Sequence, residues 1–224
     1  MPTLGEYILN IIYPLSCAVC RTRLKADNKV HLCDNCCRRI CTVTSPYCPR
    51  PDIKTKIYFR RAQAVGRYEG ILKECIHLVK YGRKKPLNKT LSGLMIDHIS
   101  NYFNLDAFDF LVPVPLHKRQ RRKRGFNQAE LLTENIARHF DKPAITDNLR
   151  RSRHTEPQYK LNKPERIKNM KAAFSVNRPE VFCGRSILLI DDVYTTGVTV
   201  NECARVLSKA GASSVEVLVL AHGS

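Results

Sequence analysis

The chain has 224 residues and is 43% apolar, enough for a real core, which excludes a disordered or low-complexity polypeptide. Its 38 lysines and arginines against 20 acids give a formal net charge of +18, an excess that favours polyanionic partners. No stretch approaches the roughly 20 apolar residues of a membrane span, so a soluble, cytoplasmic protein is expected.

Leu4, Tyr7, Ile8, Ile11 and Ile12 form an apolar stripe that is too short, lacks a basic start and is interrupted by Glu6. It reads as a short amphipathic helix packed on the body of the protein rather than a targeting segment. Ten cysteines follow, seven of them between Cys17 and Cys48. Cys17-Ala-Val-Cys20 and Cys33-Asp-Asn-Cys36 are two C-x2-C knuckles at a spacing suited to a tetrahedral four-cysteine site for structural Zn2+. Disulfides are the competing reading, disfavoured in a cytosolic chain, and a redox C-x-x-C would not need a matching second pair. Cys37 is an alternative ligand to Cys36, Cys41 and Cys48 are left over, and Cys75, Cys183 and Cys203 are expected as buried small apolar residues.

Pro49-Arg50-Pro51-Asp52 and the basic residues through Lys54 and Lys56 read as a linker, with a second domain starting near Ala62. A strand is expected over 65–68 and a helix over 71–80, with Lys80-Tyr81-Gly82 as its basic end. A longer helix over 87–102 follows, then an apolar strand over 108–114 closed by Pro113-Val114-Pro115. A basic loop comes next, holding Lys118, Arg119, Arg121, Arg122, Lys123 and Arg124, and it leads through Gly125-Phe126-Asn127-Gln128 into a helix over 128–139. So many adjacent cations repel one another unless anions are near. The residues point to pyrophosphate or nucleic-acid phosphates, against the plainer reading of a solvated charge run.

Ile187, Leu188, Leu189 and Ile190 form an unbroken apolar run suited to a strand covered on both faces. Asp191 and Asp192 end it, at the edge where open α/β sheets place their ligand crevice. Thr195, Thr196, Gly197 and Thr199 then let backbone amides converge on a phosphate, and a helix whose apolar positions include Val200, Cys203, Ala204, Val206 and Leu207 would set its positive end beneath the anion. The plainer alternative is a strand-turn-helix whose acids merely cap the helix. A nucleotide P-loop is disfavoured because no Gly-Lys-Thr precedes the helix.

This apolar run, acid pair and Thr-Thr-Gly-x-Thr turn resemble the phosphoribosyl pyrophosphate (PRPP) loop of type I phosphoribosyltransferases. The resemblance implies that Asp191 and Asp192 take the ribose hydroxyls, that the segment Asp191, Asp192, Val193, Tyr194, Thr195, Thr196, Gly197, Val198, Thr199 forms the PRPP site, and that Mg2+ accompanies PRPP. Pro113-Val114-Pro115, Arg124-Gly125-Phe126-Asn127-Gln128, then Arg151, Thr155, Gln158, Leu161, Arg166, Asn169 and Phe174, together with that loop and the cysteine knuckles, make nearly the whole chain similar to the ComF family. One departure is Cys48-Pro49-Arg50-Pro51, which keeps a single cysteine of a further C-x-x-C-G element of that family.

The resemblance implies an α/β fold: a type I phosphoribosyltransferase-like parallel sheet flanked by helices over 62–224, with a small N-terminal helix and zinc-finger module over 1–50. It further implies a role in DNA uptake during natural transformation. With the charge, and with Tyr58, Phe59, Tyr81 and Phe126 placed beside basic residues where they could stack on bases, single-stranded DNA is the expected nucleic acid. Two functions compete. In one the chain binds PRPP or a related ribose 5-phosphate ligand and single-stranded DNA, its zinc module docking a partner such as a DNA-translocating helicase. In the other it is a Mg-dependent phosphoribosyltransferase acting on an unidentified acceptor, for which no evident nucleophile or general base is found.

Overall fold

The computed structural model describes residues 15–25, 31–40, 42–47, 56–82, 84–153 and 172–223. The expected N-terminal helix, Cys41, Cys48, the linker 49–54, and Thr155, Gln158, Leu161, Arg166 and Asn169 lie outside them.

The apolar run at 187–190 lies in strand β6 (Ser186–Tyr194), and Ile187, Leu188, Leu189 and Ile190 are all fully buried, as a strand covered on both faces requires. On one side β6 pairs in parallel with β3 (Phe110–Pro113), register Pro113↔Ile190, and on the other with β7 (Ser214–His222), register Ile190↔Leu218. Beyond β7 lies β2 (Ala62–Arg67), also parallel, and β1 (Thr42–Tyr47) pairs antiparallel with the outer edge of β2. The order is β1-β2-β7-β6-β3. This is the expected parallel sheet with helices on its faces.

One face carries α2 (Gly70–Lys80), α3 (Leu87–Tyr102) and α5 (Gln128–Phe140), whose buried residues Leu72, Ile76, Leu91, Ile99, Leu132 and Ile136 pack on Leu188, Ile190, Leu218 and Leu220. The other carries α6 (Val198–Lys209) and a short antiparallel pair of strands, β4 (Leu149–Arg151) and β5 (Phe174–Val176), with Val200, Cys203, Ala204 and Leu207 packed on Ile187, Leu189 and Val217. The cysteine-bearing segment, including helix α1 (Asp34–Arg38), contributes Cys17, Leu24, Leu32, Cys36 and Ile40 to the same apolar cluster as Ile71, Leu72, Cys75 and Ile76.

Three details differ from the sequence expectations. Strand β6 runs through both acids to Tyr194, because β7 continues the ladder as far as Tyr194↔His222. On its other side β3 leaves at Pro113, so the acids sit where one neighbour has ended and a crevice opens. The basic segment is not a loop but a helix, α4 (Lys118–Arg124). Arginine, lysine and glutamine are good helix formers; His117 Nδ1 accepts the Arg119 N–H at 3.2 Å, and Gly125 closes the end with φ 83°, a left-handed conformation that glycine adopts without strain. Cys75 and Cys203 are buried as expected, but Cys183 is exposed, since it follows the short 3-10 turn Pro179–Phe182 at the surface.

Candidate functional site: a phosphate turn, an acid pair and a thiol cluster

Past Tyr194 the chain turns through Thr195 and Thr196 into Gly197, whose φ of 78° starts α6. A side chain there would strain the turn that aims the helix N-terminus. One pocket is lined by Asp191, Val193, Tyr194, Thr195, Thr196, Gly197, Val198, Thr199 and Val200, so the structure gathers the whole expected PRPP segment except Asp192. Thr196 is 7% exposed, and among the described residues its Oγ1 has no hydrogen-bond partner, nor does the buried Tyr194 hydroxyl. A buried hydroxyl left unpaired costs about 1–3 kcal/mol. Here the cost falls at the positive end of a helix, the place where an anion would remove it.

Neighbouring residues of a strand point to opposite faces, and the two acids do so. Asp191 lines the phosphate-turn pocket, on the face of Arg151 and Cys203, and its Oδ1 accepts the Asp192 N–H at 2.8 Å. Burial, and then the charge of Asp192, push the Asp191 carboxyl up to about 8. Asp192 lies on the other face, lining a cavity with Ile76, Val79, Asn88, Leu91, Gln128 and Leu132, and its Oδ2 pairs with Lys80 Nζ at 2.7 Å. Burial lowers the Lys80 pKa, but the carboxylates, Asp192 foremost, more than offset it, so the ammonium stays protonated. From the sequence Lys80 reads only as the basic end of a helix; the ion pair joins distant parts of the chain and has no local signal. Among the described residues no third acid joins the pair, so a divalent cation here would take oxygens from the two carboxylates and chiefly from the phosphates of a ligand, which suits Mg2+.

The basic helix α4 leaves the same edge of the sheet: the Val114 N–H donates to Ile190 O at 2.8 Å, and Asn127 Nδ2 to Val114 O at 3.0 Å. Lys118, Arg119, Arg121 and Arg122 are exposed, with Arg121 paired to Glu130 at 3.1 Å. Arg124 is half-buried; it donates to Gln128 Oε1 at 3.1 Å and its guanidinium lies 5.3 Å from the Tyr81 ring. Tyr81 is 62% exposed, and Lys85 sits 5.8 Å from the Phe126 ring. Of the aromatic residues expected to stack on bases, Phe59 is buried in the core and Tyr58 packs against it beside Lys56, which leaves Tyr81 and Phe126 next to α4.

The sulfurs of Cys17, Cys20, Cys33 and Cys36 all lie within 4.8 Å of one another and could hold a metal ion. A tetrahedral site with M–S near ~2.3 Å needs sulfurs about 3.8 Å apart; Cys20 Sγ and Cys33 Sγ are 3.5 Å apart. The Cys33 Sγ accepts the Cys36 N–H and caps α1, turning Cys36 inward, while Cys37 packs at the margin of the apolar cluster. Cys20 Sγ lies 3.3 Å from Thr22 Oγ1, and that contact, with the Thr22 backbone, brings the thiol down to about 6. Burial and the neighbouring thiols push Cys36 up. A four-thiol set crowded this closely fits a soft, closed metal site.

The model of the phosphoribosyl transferase domain matches residues 127–224. The chain is 30% identical over 224 residues to competence protein F of Haemophilus influenzae, covering 92% of this chain and 96% of that protein. It is 35% identical over 169 residues to the DNA utilization protein YhgH of Escherichia coli, covering 72% of each. With competence protein ComFC of Bacillus subtilis it shares 32% identity over 212 residues, 91% of this chain and 82% of that one.

Proposed function

Since the chain belongs to the ComF family of competence proteins and carries a phosphoribosyltransferase domain, we propose that it binds PRPP or a related ribose 5-phosphate ligand, together with single-stranded DNA, in DNA uptake and natural transformation. The observation that carries the ligand is Thr196 Oγ1, buried and, among the described residues, without a partner in a pocket formed by a helix N-terminus. In this reading the 5′-phosphate accepts from Thr196, from neighbouring hydroxyls and from the first amides of α6, while the ribose hydroxyls donate to Asp191 and Asp192. Mg2+ arriving with the ligand would supply charge neutralisation between phosphate oxygens and the acid pair. Zn2+ is the proposed occupant of the four-cysteine cluster, and the segment it closes is the proposed docking point for a DNA-translocating helicase.

Thr196→Val tests the phosphate assignment. It removes an unsatisfied hydroxyl and keeps its shape, so stability is expected to hold or rise by up to about 1 kcal/mol while affinity for PRPP falls roughly 10-fold. Calorimetric titration and thermal unfolding of the two proteins measure both; unchanged affinity would remove Thr196 from the site.

The DNA reading is supported by the formal charge of +18, by the exposed cations of α4, which follows the strand edge beside Ile190, and by Tyr81 and Phe126 beside them. Binding of a single-stranded oligonucleotide is expected to weaken steeply with salt. Replacing Arg121, Arg122 and Arg124 together by alanine is expected to reduce the slope of log K against log salt by about 2, at roughly 0.7 per phosphate contact. An unchanged slope by fluorescence anisotropy would place the strand elsewhere. Catalysis is the second reading, favoured by the same acid pair; release of pyrophosphate from PRPP in the presence of candidate bases, amines or single-stranded DNA would establish it.

A further inference from the structure

The Lys80–Asp192 pair is the feature of the site that the phosphate turn does not explain. Both side chains are largely buried, 15% and 13% exposed, and they meet at 2.7 Å. A ribose held by both acids must share Asp192 with this ammonium or take it over. In a finished structural ion pair, nearby donors and acceptors are engaged in completing the remaining hydrogen bonds. In the cavity that Asp192 lines, both amide atoms of Asn88 and Nε2 of Gln128 are buried without partners among the described residues.

We propose that Lys80 is an exchangeable counter-ion: it neutralises Asp192 while the pocket is empty and passes to an anionic group of the ligand when ribose hydroxyls take the carboxylate. This rests on the sugar-phosphate reading above. The geometry gives it a direction. Asp191 opens onto the phosphate turn, and Asp192 faces Lys80 across the opposite face of β6. A sugar lying over both acids with its phosphate in the turn therefore carries its far end toward Lys80. Lys80 is the last residue of α2, and its four-carbon stem lets the ammonium follow a new partner. A ligand with a second anionic group at that far end gives it one. A ligand that stops at the sugar draws Asp192 away without giving the largely buried ammonium a replacement contact, which is unfavourable. Lys80 is thus a specificity-determining residue, favouring sugar phosphates with a second anionic group, such as PRPP, over ribose 5-phosphate.

Calorimetric titration of PRPP and of ribose 5-phosphate, each with Mg2+, into the wild-type chain, Lys80→Met and Lys80→Arg tests this. The wild type is expected to prefer PRPP. Lys80→Met should weaken PRPP at least 10-fold while leaving ribose 5-phosphate unchanged or tighter, and Lys80→Arg should restore much of the preference. Should Lys80→Met fold poorly because Asp192 loses its partner, Lys80→Met with Asp192→Asn leaves no buried unpaired charge there and should show the same collapse of the ratio. Equal weakening of both ligands, as from a merely structural lysine, or an unchanged ratio would overturn the role of Lys80 while leaving the sugar-phosphate site standing. A wild-type chain that binds neither ligand would reject that site and the exchange together.

Discussion

Asp191→Asn is expected to lower affinity for PRPP roughly 100-fold near pH 8.5 in a protein that remains folded. Hydrogen bonds from hydroxyls to a carboxylate contribute about 1.5–3 kcal/mol each, and an amide of the same shape both loses the charge and presents a donor to a donor. Asp191 is the better of the two acids to test, because Asp192→Asn alone would strand Lys80. The elevated pKa of Asp191 adds a dependence on pH. Burial and the Asp192 charge raise it from 3.8 to about 8, so the folded state holds a proton that the unfolded chain has already released. Its contribution to stability is therefore present below the unfolded value and is lost as pH rises toward and through the folded one. Across that window Asp191→Asn should unfold with a smaller decline in Tm than the wild type. Ligand affinity of the wild type should move the opposite way, rising toward pH 8 as the carboxylate becomes charged, and the asparagine variant should show a flatter profile. An Asp191→Asn protein that binds PRPP as the wild type does would detach this acid from the site.

Removal of metal is expected to produce the largest loss of stability. Structural Zn2+ contributes about 10–16 kcal/mol to small domains that fold around it. Here the cysteine segment is not isolated, because Cys17, Leu32 and Cys36 share a cluster with Leu72, Cys75 and Ile76 of α2. Chelation should therefore reach beyond the knuckles and lower the Tm of the whole chain by about 10 °C or more, at roughly 2–4 °C per kcal/mol for a protein of this size. Cys33→Ser should match the chelated protein, since it removes a metal ligand while serine can still cap α1. One zinc per chain by metal analysis is the companion result. A chain purified without metal whose Tm ignores chelator would reject the site.

How much of this was legible in the sequence depended on the range of the interaction involved. The buried strand at 187–190 and the helix over 87–102 could be read because their patterns are local: an unbroken apolar run in one, helical spacing in the other. The cysteine cluster was readable for the same reason, since its spacing alone brings the ligands near one another. The extension of β6 through Asp191 to Tyr194 was not, because it depends on the ladder offered by β7 and on the departure of β3 at Pro113. Helix α4 carried one overlooked local signal, the glycine after a run of good helix formers; the density of like charge pointed instead to a loop. The ion pair of Asp192 with Lys80 left no trace in sequence. Nor did the separation of the two acids onto opposite faces of β6, which follows only once the strand is known to continue past them.

In the proposed function the turn after β6 binds the phosphate of a sugar phosphate. Its most direct test is calorimetric titration of PRPP with Mg2+ into the metal-replete wild-type chain, followed by competition with ribose 5-phosphate. One ligand per chain, displaced by ribose 5-phosphate and weakened by Thr196→Val, is the result expected; no saturable heat from a folded protein would reject the sugar-phosphate site.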